Sequence, residues 1–302
     1  MADDAPMTLH PRVITGAGGG PDKTVLNSPR FLKRHGYRSA CLFYHPPEDA
    51  GFQAIRDRAV DWDAPLHEID DHGPLDWKLV PRTIELCREL KVDVWHAHDY
   101  KTNLLGLLVR RRWPMRLVTT VHGWVELTLK TRVYHLLDRW TMPKYDRVIC
   151  VSPDLRDSCQ RFGVKQDRLQ LIENAIDTEQ FRRRVSPAEA KKKLGVSPDE
   201  LLVGAVGRLS NEKGFDLLIR AFAALDSDAP PSKLVILGEG DEKPNLQALI
   251  DHLGLADRVT LAGFQSNTID WYQAMDVFVL SSLREGLPNV VLEAMSLSLI
   301  HI

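Results

Sequence analysis

The sequence predicts an α/β protein with two doubly wound parallel sheets, the second of them incomplete, and three observations lead to this prediction. The chain has 302 residues, which corresponds to about two domains of average size. Hydrophobic residues make up 44% of it and charged residues 26%, so extensive disorder is excluded. Short β-branched runs alternate with amphipathic stretches, and this alternation is typical of parallel strands joined by crossover helices.

The alternation runs through the first half of the chain. The predicted strands are Arg12–Thr15, Arg38–Phe43, Val92–His96, Leu117–Val121, Arg147–Val151 and Arg168–Ile172. The predicted helices between them are Lys23–His35, Leu75–Leu90, Leu104–Trp113, Val125–Trp140 and Pro153–Phe162. Two of the strands end in small polar residues, and in doubly wound sheets such residues face the ligand crevice. We assign residues 8–178 to this first domain.

The pattern is interrupted between Asn174 and Glu200. This stretch contains two Ser-Pro turns and two basic runs, Arg182–Arg184 and Lys191–Lys193. Such a composition is typical of a connection between domains that carries a short helix. We assign 179–200 as the linker and interpret its basic runs as a solvated surface.

A second alternation occupies residues 201–302, which we assign to the second domain. Its predicted strands are Leu201–Val206, Lys233–Leu237, Val259–Ala262 and Val277–Leu280, and its predicted helices are Phe215–Leu225, Asn245–Leu253 and Thr268–Ala274. A last helix is expected to start near Pro288. We expect the native protein to continue further, because a parallel sheet that ended here would leave an uncovered face and an unpaired edge. Residues 297–302 resemble a translated sequencing-library adapter.

Charge and cysteine content exclude several classes of protein. Lys and Arg number 39 and Asp and Glu 41, and the net charge of -2 argues against a nucleic-acid binder. The four cysteines form no Cys-x-x-Cys pair, so we expect reduced, mostly buried thiols rather than a zinc ribbon or thioredoxin motif. No apolar run approaches the roughly 18 residues of a transmembrane helix, and residues 1–11 lack the features of a signal peptide. We therefore expect a cytoplasmic protein.

A glycine-rich turn, Gly16-Ala17-Gly18-Gly19-Gly20, separates the first predicted strand from the first helix. Glycines let backbone N–H groups approach an anion at the positive end of a helix. The turn is not a dinucleotide fingerprint, because the third glycine comes two residues early and no acidic residue closes the second strand. Two interpretations remain equally open: a turn that needs positive φ angles, and a loop that binds an anion or substrate.

Two cations share one predicted loop of the second half. Gly207-Arg208-Leu209-Ser210-Asn211-Glu212-Lys213-Gly214 follows an apolar strand and leads into a helix. A guanidinium grips paired phosphate oxygens and an ammonium supplies a compact charge. Alone, Arg208 and Lys213 would be interpreted as surface charge. Together with the carboxylates described next, they indicate a diphosphate site.

Two carboxylates lie eight positions apart, Glu285 in a loop after a strand and Glu293 in the first turns of a helix. Gly286 permits an extended loop whose amides point at a ligand, and the helix start adds positive potential. A carboxylate in such a place accepts hydrogen bonds from vicinal hydroxyls, as ribose offers. The alternative is that Glu293 only complements the helix dipole and Glu285 is only exposed.

These motifs together resemble the donor-binding domain of family 4 glycosyltransferases. They are Gly207-Arg208-Leu209 with Glu212-Lys213-Gly214, then Gly238-Glu239-Gly240, then Glu285-Gly286-Leu287-Pro288 with Glu293. The spacing of the two glutamates matches the paired-glutamate motif of that family. The first half adds further matches: the glycine-rich turn, Val121-His122-Gly123 and Ile172–Asp177. The resemblance covers nearly the whole chain, from residue 12 to residue 295.

The resemblance implies a GT-B fold, in which two Rossmann-like domains face a cleft. It also implies a retaining glycosyltransferase that takes a sugar from a UDP- or GDP-linked donor, with no metal or other cofactor. The implied partners are this donor and a glycan or lipid-linked acceptor. Two other functions stay open: a nucleotide-sugar epimerase of the same fold, which needs no acceptor, and an inactive truncated fragment that binds nucleotide.

By position, the resemblance also implies roles for individual residues. Arg208 and Lys213 would hold the donor diphosphate and neutralise it as it leaves. Glu285 would contact the transferred sugar, and Glu293 would bind the ribose. His122 would lie in the cleft near the reaction centre. Further donor contacts are implied for Gly18, Gly19, Gly238, Gly263, Phe264, Gly286 and Leu287.

Charge balance at the leaving group agrees with such a site. Glycosyl transfer passes through an oxocarbenium-like state while negative charge accumulates on the diphosphate. Two cations and helix amides can stabilise that charge without a metal, and no Asp-x-Asp motif stands at a predicted strand end. No motif clearly supplies a carboxylate nucleophile, and the resemblance implies transfer on the same face, with the leaving phosphate assisting deprotonation of the acceptor.

Two features have other interpretations. His96-x-His98-Asp99 could be read as metal ligands, but we expect the two imidazoles to point to opposite faces of the strand, where they line the cleft or form core hydrogen bonds. Arg110-Arg111-Arg112, next to Trp113, is a solvated helix end or touches anionic lipid headgroups. The second reading would place the protein at the inner face of the membrane as a peripheral enzyme.

Overall fold

The computed structural model describes residues 5–123, 129–225 and 230–299, with the backbone alone for 129–133. The chain forms two compact units, Met1–Asn174 and Ala175–Ile302. Each unit is built around one parallel β-sheet with helices between successive strands. The α/β fold class predicted from the sequence is confirmed.

The N-terminal unit contains a seven-stranded sheet with the order β3-β2-β1-β4-β5-β6-β7. Its strands are β1 Met7–Val13, β2 Arg38–His45, β3 Leu66–Asp70, β4 Val94–Ala97, β5 Arg116–Val121, β6 Arg147–Cys150 and β7 Leu169–Leu171. Every neighbouring pair is parallel. The strand order reverses between β1 and β4, and ligands of doubly wound sheets bind at the carboxyl side of such a switch point.

Six helices accompany this sheet in the described residues. They are α1 Gly20–Arg34, α2 Gln53–Asp61, α3 Leu79–Leu90, α4 Tyr100–Val109, α5 Leu129–Thr141 and α6 Pro153–Arg161. Local capping fixes where α4 and α6 start. Asp99 accepts a hydrogen bond from the Thr102 backbone N–H at 2.9 Å, and Ser152 caps α6 through the N–H of Leu155.

Several boundaries of this unit differ from the sequence prediction by a few residues, and one pair of elements was not predicted. The first strand starts at Met7 rather than Arg12. The prediction began too late because the polar residue His10, which is buried in the strand, interrupts its apolar run. The pair α2 and β3 was missed, since the half-exposed sequence Leu-His-Glu-Ile-Asp contains no apolar run. The predicted start of the helix Val125–Trp140 lies outside the described residues, and the described helix begins at Leu129.

The C-terminal unit contains a four-stranded parallel sheet with the order β10-β9-β8-β11. Its strands are β8 Leu201–Val206, β9 Ser232–Leu237, β10 Val259–Gly263 and β11 Val277–Phe278. Its helices are α7 Pro187–Lys193, α8 Phe215–Ala223, α9 Lys243–His252, α10 Ile269–Ala274 and α11 Asn289–Ser296. The predicted strands and helices of residues 201–296 are therefore present, with shifts of a few residues at their ends.

Both faces of this second sheet are covered by apolar clusters. Leu234 and Ile236 belong to one cluster, with residues of α8 and α9. Val235 and Leu237 belong to the other, with residues of α7, α10 and α11. Neighbouring residues of a strand point to opposite faces, which explains the division. Helices therefore lie on both faces where we expected an uncovered one.

The predicted linker, 179–200, packs onto the C-terminal sheet instead of presenting all of its charge to solvent. The Lys191 side chain is only 4% exposed, and its Nζ lies 2.6 Å from Asp276 Oδ2. Arg183 donates hydrogen bonds to the carbonyl oxygens of Gln273 and Leu297. The interpretation of both basic runs as a solvated surface is therefore wrong for Lys191, which is buried and paired with Asp276, whereas Arg183 is exposed although it also donates to two carbonyl oxygens.

The last described residues belong to the same core. Leu297 and Leu299 are 1% and 2% exposed and lie in the cluster with α7 and α10. The four cysteines are free and buried, as expected. Across the described ranges, none of the helices combines the length and apolar composition that membrane crossing requires.

Candidate functional site

The loop after β8 carries the two predicted diphosphate cations. Arg208 is exposed, and its side chain has no ion-pair partner among the described residues. Lys213 ends a short 3₁₀ turn, Asn211–Lys213, and Gly214 follows with a φ of +59°. A Cβ on Gly214 would overlap the carbonyl oxygen of Ser281, so only glycine lets the loop after β11 come this close.

Lys213 and Glu285 meet although they are far apart in the sequence. The distance from Lys213 Nζ to Glu285 Oε1 is 2.5 Å, and the two side chains are 24% and 21% exposed. A second hydrogen bond joins the same two loops, since Ser281 Oγ donates to the Lys213 carbonyl oxygen at 2.8 Å. The carboxyl ends of neighbouring parallel strands place both loops at one edge of the sheet.

Glu293 is buried next to a tyrosine that the sequence analysis did not single out. The residue is 5% exposed, and Tyr272 Oη donates a hydrogen bond to Glu293 Oε2 at 2.8 Å. Burial first, and then the negative charge of Glu293, raise the pKa of the Tyr272 phenol well above its ordinary value. The hydroxyl therefore stays a donor and holds one carboxylate oxygen in place. The available signal was a phenol in the predicted helix Thr268–Ala274, since a tyrosine hydroxyl usually finds a hydrogen-bond partner when it is buried.

Two glycines, Gly238 directly after β9 and Gly263 at the end of β10, allow backbone to pack against backbone. Gly238 has a φ of +142°, and a Cβ there would overlap the carbonyl oxygen of Gly207. Its N–H donates to the Gly263 carbonyl oxygen at 2.8 Å. Gly263 has a φ of +70°, and its Cβ would lie 2.8 Å from Glu239 Oε1. Phe264 follows and is 39% exposed.

The last two predicted donor contacts lie in the loop that leads to α11. Gly286 and Leu287 are both half-buried, between Glu285 and the helix that carries Glu293. The C-terminal unit therefore gathers Arg208, Lys213 and Glu285, with the glycine turns, on the loops after its strands. Such an arrangement can bind an anion through the two cations and hydroxyl groups through the two carboxylates.

In the N-terminal unit, the glycine-rich turn has the positive φ angles that the first of its two interpretations requires. Gly16 and Gly18 have φ values of +62° and +69°. A Cβ on Gly18 would lie 2.9 Å from Ile55 Cδ1. The Gly19 N–H donates to the carboxylate of Asp22, which also pairs with Arg12. The carboxylate of Asp22 therefore already accepts a hydrogen bond from one of the amides that an anion-binding loop would use.

Four histidines meet where the middle of β1 runs beside the carboxyl ends of β4 and β5. His10 Nδ1 lies 3.2 Å from His98 Nε2, and His98 Nδ1 lies 3.2 Å from His122 Nε2. The rings of His96 and His98 stack with centroids 4.5 Å apart. The expectation that these two rings point to opposite faces is therefore wrong, because residues two apart in a strand share a face.

Burial keeps these histidines neutral. It lowers the pKa of His96 to about 4, and burial, helped by Arg12 and His96, lowers the pKa of His122 to about 3. The pKa values of His10 and His98 are also lowered well below the ordinary value, mainly by burial. Near neutral pH, His122 therefore has one ring nitrogen that donates and one that accepts.

Comparison with known families finds two matching models. The model described as Glycosyltransferase Family 4 matches residues 18–180, more than half of the chain. The model described as Glycosyl transferases group 1 matches residues 187–302. Together they span both structural units.

Individual relatives agree with these matches. An N-acetylgalactosamine-N,N'-diacetylbacillosaminyl-diphospho-undecaprenol 4-alpha-N-acetylgalactosaminyltransferase of Campylobacter jejuni is 32% identical over 221 residues, 71% of this chain and 58% of that protein. A UDP-Gal:alpha-D-GlcNAc-diphosphoundecaprenol alpha-1,3-galactosyltransferase of Escherichia coli is 30% identical over 237 residues, 74% of this chain and 60% of that protein. The chain therefore spans about 60% of the length of these curated relatives.

A solved structure shows the same fold. The crystal structure of Anabaena HepE in complex with UDP and glucose superimposes with a TM-score of 0.77 at 21% identity, covering 96% of this chain and 78% of that one. This likeness establishes the GT-B fold. With both family models matched in chain order, the chain belongs to Glycosyltransferase Family 4.

Proposed function

We propose that the protein transfers a sugar from a nucleotide-sugar donor to a glycan or lipid-linked acceptor with retention of configuration. The observation that carries the proposal is the contact between Lys213 and Glu285, which joins the loops after β8 and β11 in a member of this family. Arg208 lies in the first of these loops. The contact brings a cation suited to phosphate next to a carboxylate suited to sugar hydroxyls.

The two cations would stabilise the leaving diphosphate. An ammonium has three donors, so Lys213 can bind Glu285 and still donate to a phosphate oxygen. The exposed guanidinium of Arg208 can grip two phosphate oxygens at once. Charge that develops on the diphosphate in the transition state would then be neutralised without a metal ion.

The remaining residues of the C-terminal unit would hold the rest of the donor. Glu293, oriented by Tyr272, would accept hydrogen bonds from the ribose hydroxyls. Glu285 would contact the transferred sugar. The other donor contacts would come from backbone amides and one ring face: Gly238, Gly263, Phe264, Gly286 and Leu287.

The N-terminal unit would supply the acceptor side. His122 is neutral near pH 7 and offers a hydrogen-bonding ring nitrogen for a sugar hydroxyl close to the reacting carbon. Gly18 and Gly19 would approach the phosphate through their backbone. Retention would follow if the leaving phosphate took the acceptor proton on the same face of the sugar.

A lipid-linked acceptor is supported by the two relatives, whose names state diphospho-undecaprenol substrates. The exposed Arg111 and Arg112 would meet the anionic headgroups of a membrane. Arg110 and Trp113 are tied to the protein, through Asp146 and the Val92 carbonyl oxygen. We therefore propose a cytoplasmic enzyme with peripheral contact at the inner face of the membrane.

The proposal is tested by the rate of sugar transfer in Arg208→Ala and Lys213→Ala. Each substitution removes a charge that stabilises the leaving diphosphate, so we expect a loss of about 100- to 1,000-fold in kcat. Lys233→Ala is the matched control, because Lys233 forms an ion pair with Glu200 at the amino end of β9, away from the loops that follow the strands. Unchanged transfer in both variants, or release of epimerised nucleotide sugar without any acceptor, would contradict the proposal.

A further inference from the structure

The histidine cluster of the N-terminal unit is more than cleft lining. His10, His96 and His98 each offer one ring nitrogen, and these three nitrogens lie within 4.8 Å of one another. His10 lies in β1, His96 lies in β4, and His98 is the first residue after β4. The parallel pairing of β1 with β4 therefore holds the three histidines side by side. We infer that His10, His96 and His98 form a binding site for a divalent transition-metal ion such as Zn²⁺.

The distances suit coordination after a small contraction. Zn²⁺ bound by imidazole at about 2.0–2.1 Å in a tetrahedral site separates its ligand atoms by roughly 3.4 Å. His10 Nδ1 and His98 Nε2 are already 3.2 Å apart. All three ligand nitrogens lie within 4.8 Å of one another, so binding requires the cluster to contract toward the spacing of a tetrahedral site. His96 Nε2 lies 2.8 Å from the Thr120 hydroxyl, which leaves His96 Nδ1 for the ion. A hydrogen bond from the second ring nitrogen to a neighbour is typical of metal-binding histidines.

The charges around the cluster tolerate a dication. Arg12 donates to the His98 carbonyl oxygen and is the cation next to the cluster, but it pairs with the carboxylate of Asp22. Asp99, at the start of α4, adds a half-buried carboxylate near Arg12 and accepts a hydrogen bond from the Val13 N–H at 2.9 Å.

Metal binding would also orient His122. If Nε2 of His98 coordinates the ion, its proton must reside on Nδ1, which then donates to His122 Nε2 across the observed 3.2 Å. The proposed roles of Arg208 and Lys213 need no metal, so this inference stands or fails independently of the diphosphate site.

The test is metal binding by the full chain, freed of metal with a chelator and titrated with Zn²⁺ at neutral pH against a chromogenic competitor. We expect one ion per chain. We also expect His96→Ala and His98→Ala to weaken binding by at least about 10-fold. His35→Ala and His252→Ala are the controls, since both residues are exposed histidines outside the cluster.

A second measurement covers the case in which a variant does not fold. X-ray absorption of the zinc-loaded wild-type protein should show a first shell of nitrogen and oxygen with scattering from three imidazoles. Absence of stoichiometric binding, binding undiminished in folded His96→Ala and His98→Ala, or a spectrum without imidazole scattering would each overturn the inference.

Discussion

At the residue scale, the structure pairs each predicted acid with a partner far away in the chain. Glu285 meets Lys213, and Glu293 accepts a hydrogen bond from Tyr272. The sequence showed the two glutamates and the lysine through their motifs. It did not show Tyr272, because an aromatic residue at helical spacing is usually part of the core, and Tyr272 is indeed buried there as well.

Tyr272→Phe tests whether the phenol positions Glu293. The variant keeps the ring and its packing but removes a donor to a buried carboxylate, so we expect a loss of about 1–3 kcal/mol in the free energy of unfolding. Urea denaturation measures this loss, and calorimetry should show weaker nucleotide binding. Tyr37→Phe is the control, because Tyr37 is 52% exposed. Equal stability of the two variants would show that the hydrogen bond does not hold Glu293.

At the level of secondary structure, strands with apolar runs could be predicted and strands without them could not. The predicted strand Leu201–Val206 agrees with β8 because its apolar run contributes to the clusters on both faces of the sheet. The missed strand β3 lies at the edge of its sheet and alternates half-buried with exposed residues. Its pairing with β2 stabilises it, and this long-range contact leaves no signal in a short window of sequence.

Gly238→Ala tests the close packing of the turns after β8 and β9. A Cβ at this position would overlap the Gly207 carbonyl oxygen, and a φ of +142° is unfavourable for alanine. We expect a loss of about 2 kcal/mol or more in stability and weaker donor binding, since the turn carrying Arg208 must move.

The matched control is Gly254→Ala. Gly254 has a φ of +66° but open space around its Cβ position, so alanine there should cost only about 1 kcal/mol, from backbone conformation alone. Thermal denaturation of the two variants compares the costs. A smaller loss for Gly238→Ala than for Gly254→Ala would contradict the close-packing argument.

For the whole molecule, the family and the GT-B fold give a prediction about stability. A ligand that binds only the folded state raises the free energy of unfolding, by about 2.7 kcal/mol at 100 times its Kd. We expect UDP or GDP to raise the Tm, and Lys213→Ala to reduce this effect, because the diphosphate would lose a cation.

The ligand controls separate the diphosphate from the base. Uridine and guanosine lack the phosphates, so the proposed site predicts a much smaller Tm shift with either nucleoside at the same concentration. Differential scanning calorimetry provides the measurement. A nucleoside as effective as its diphosphate would show that Arg208 and Lys213 do not bind the phosphates.

The sequence by itself determined the alternation of strands and helices, the family motifs, and the loops that carry Arg208, Lys213, Glu285 and Glu293. These features are local, because strand, turn and motif each depend on a few consecutive residues. Only the tertiary structure decided that Lys213 contacts Glu285, that Tyr272 holds Glu293, and that His10 joins His96 and His98. Parallel pairing brings strands from distant parts of the chain side by side, and no local pattern encodes which side chains then meet.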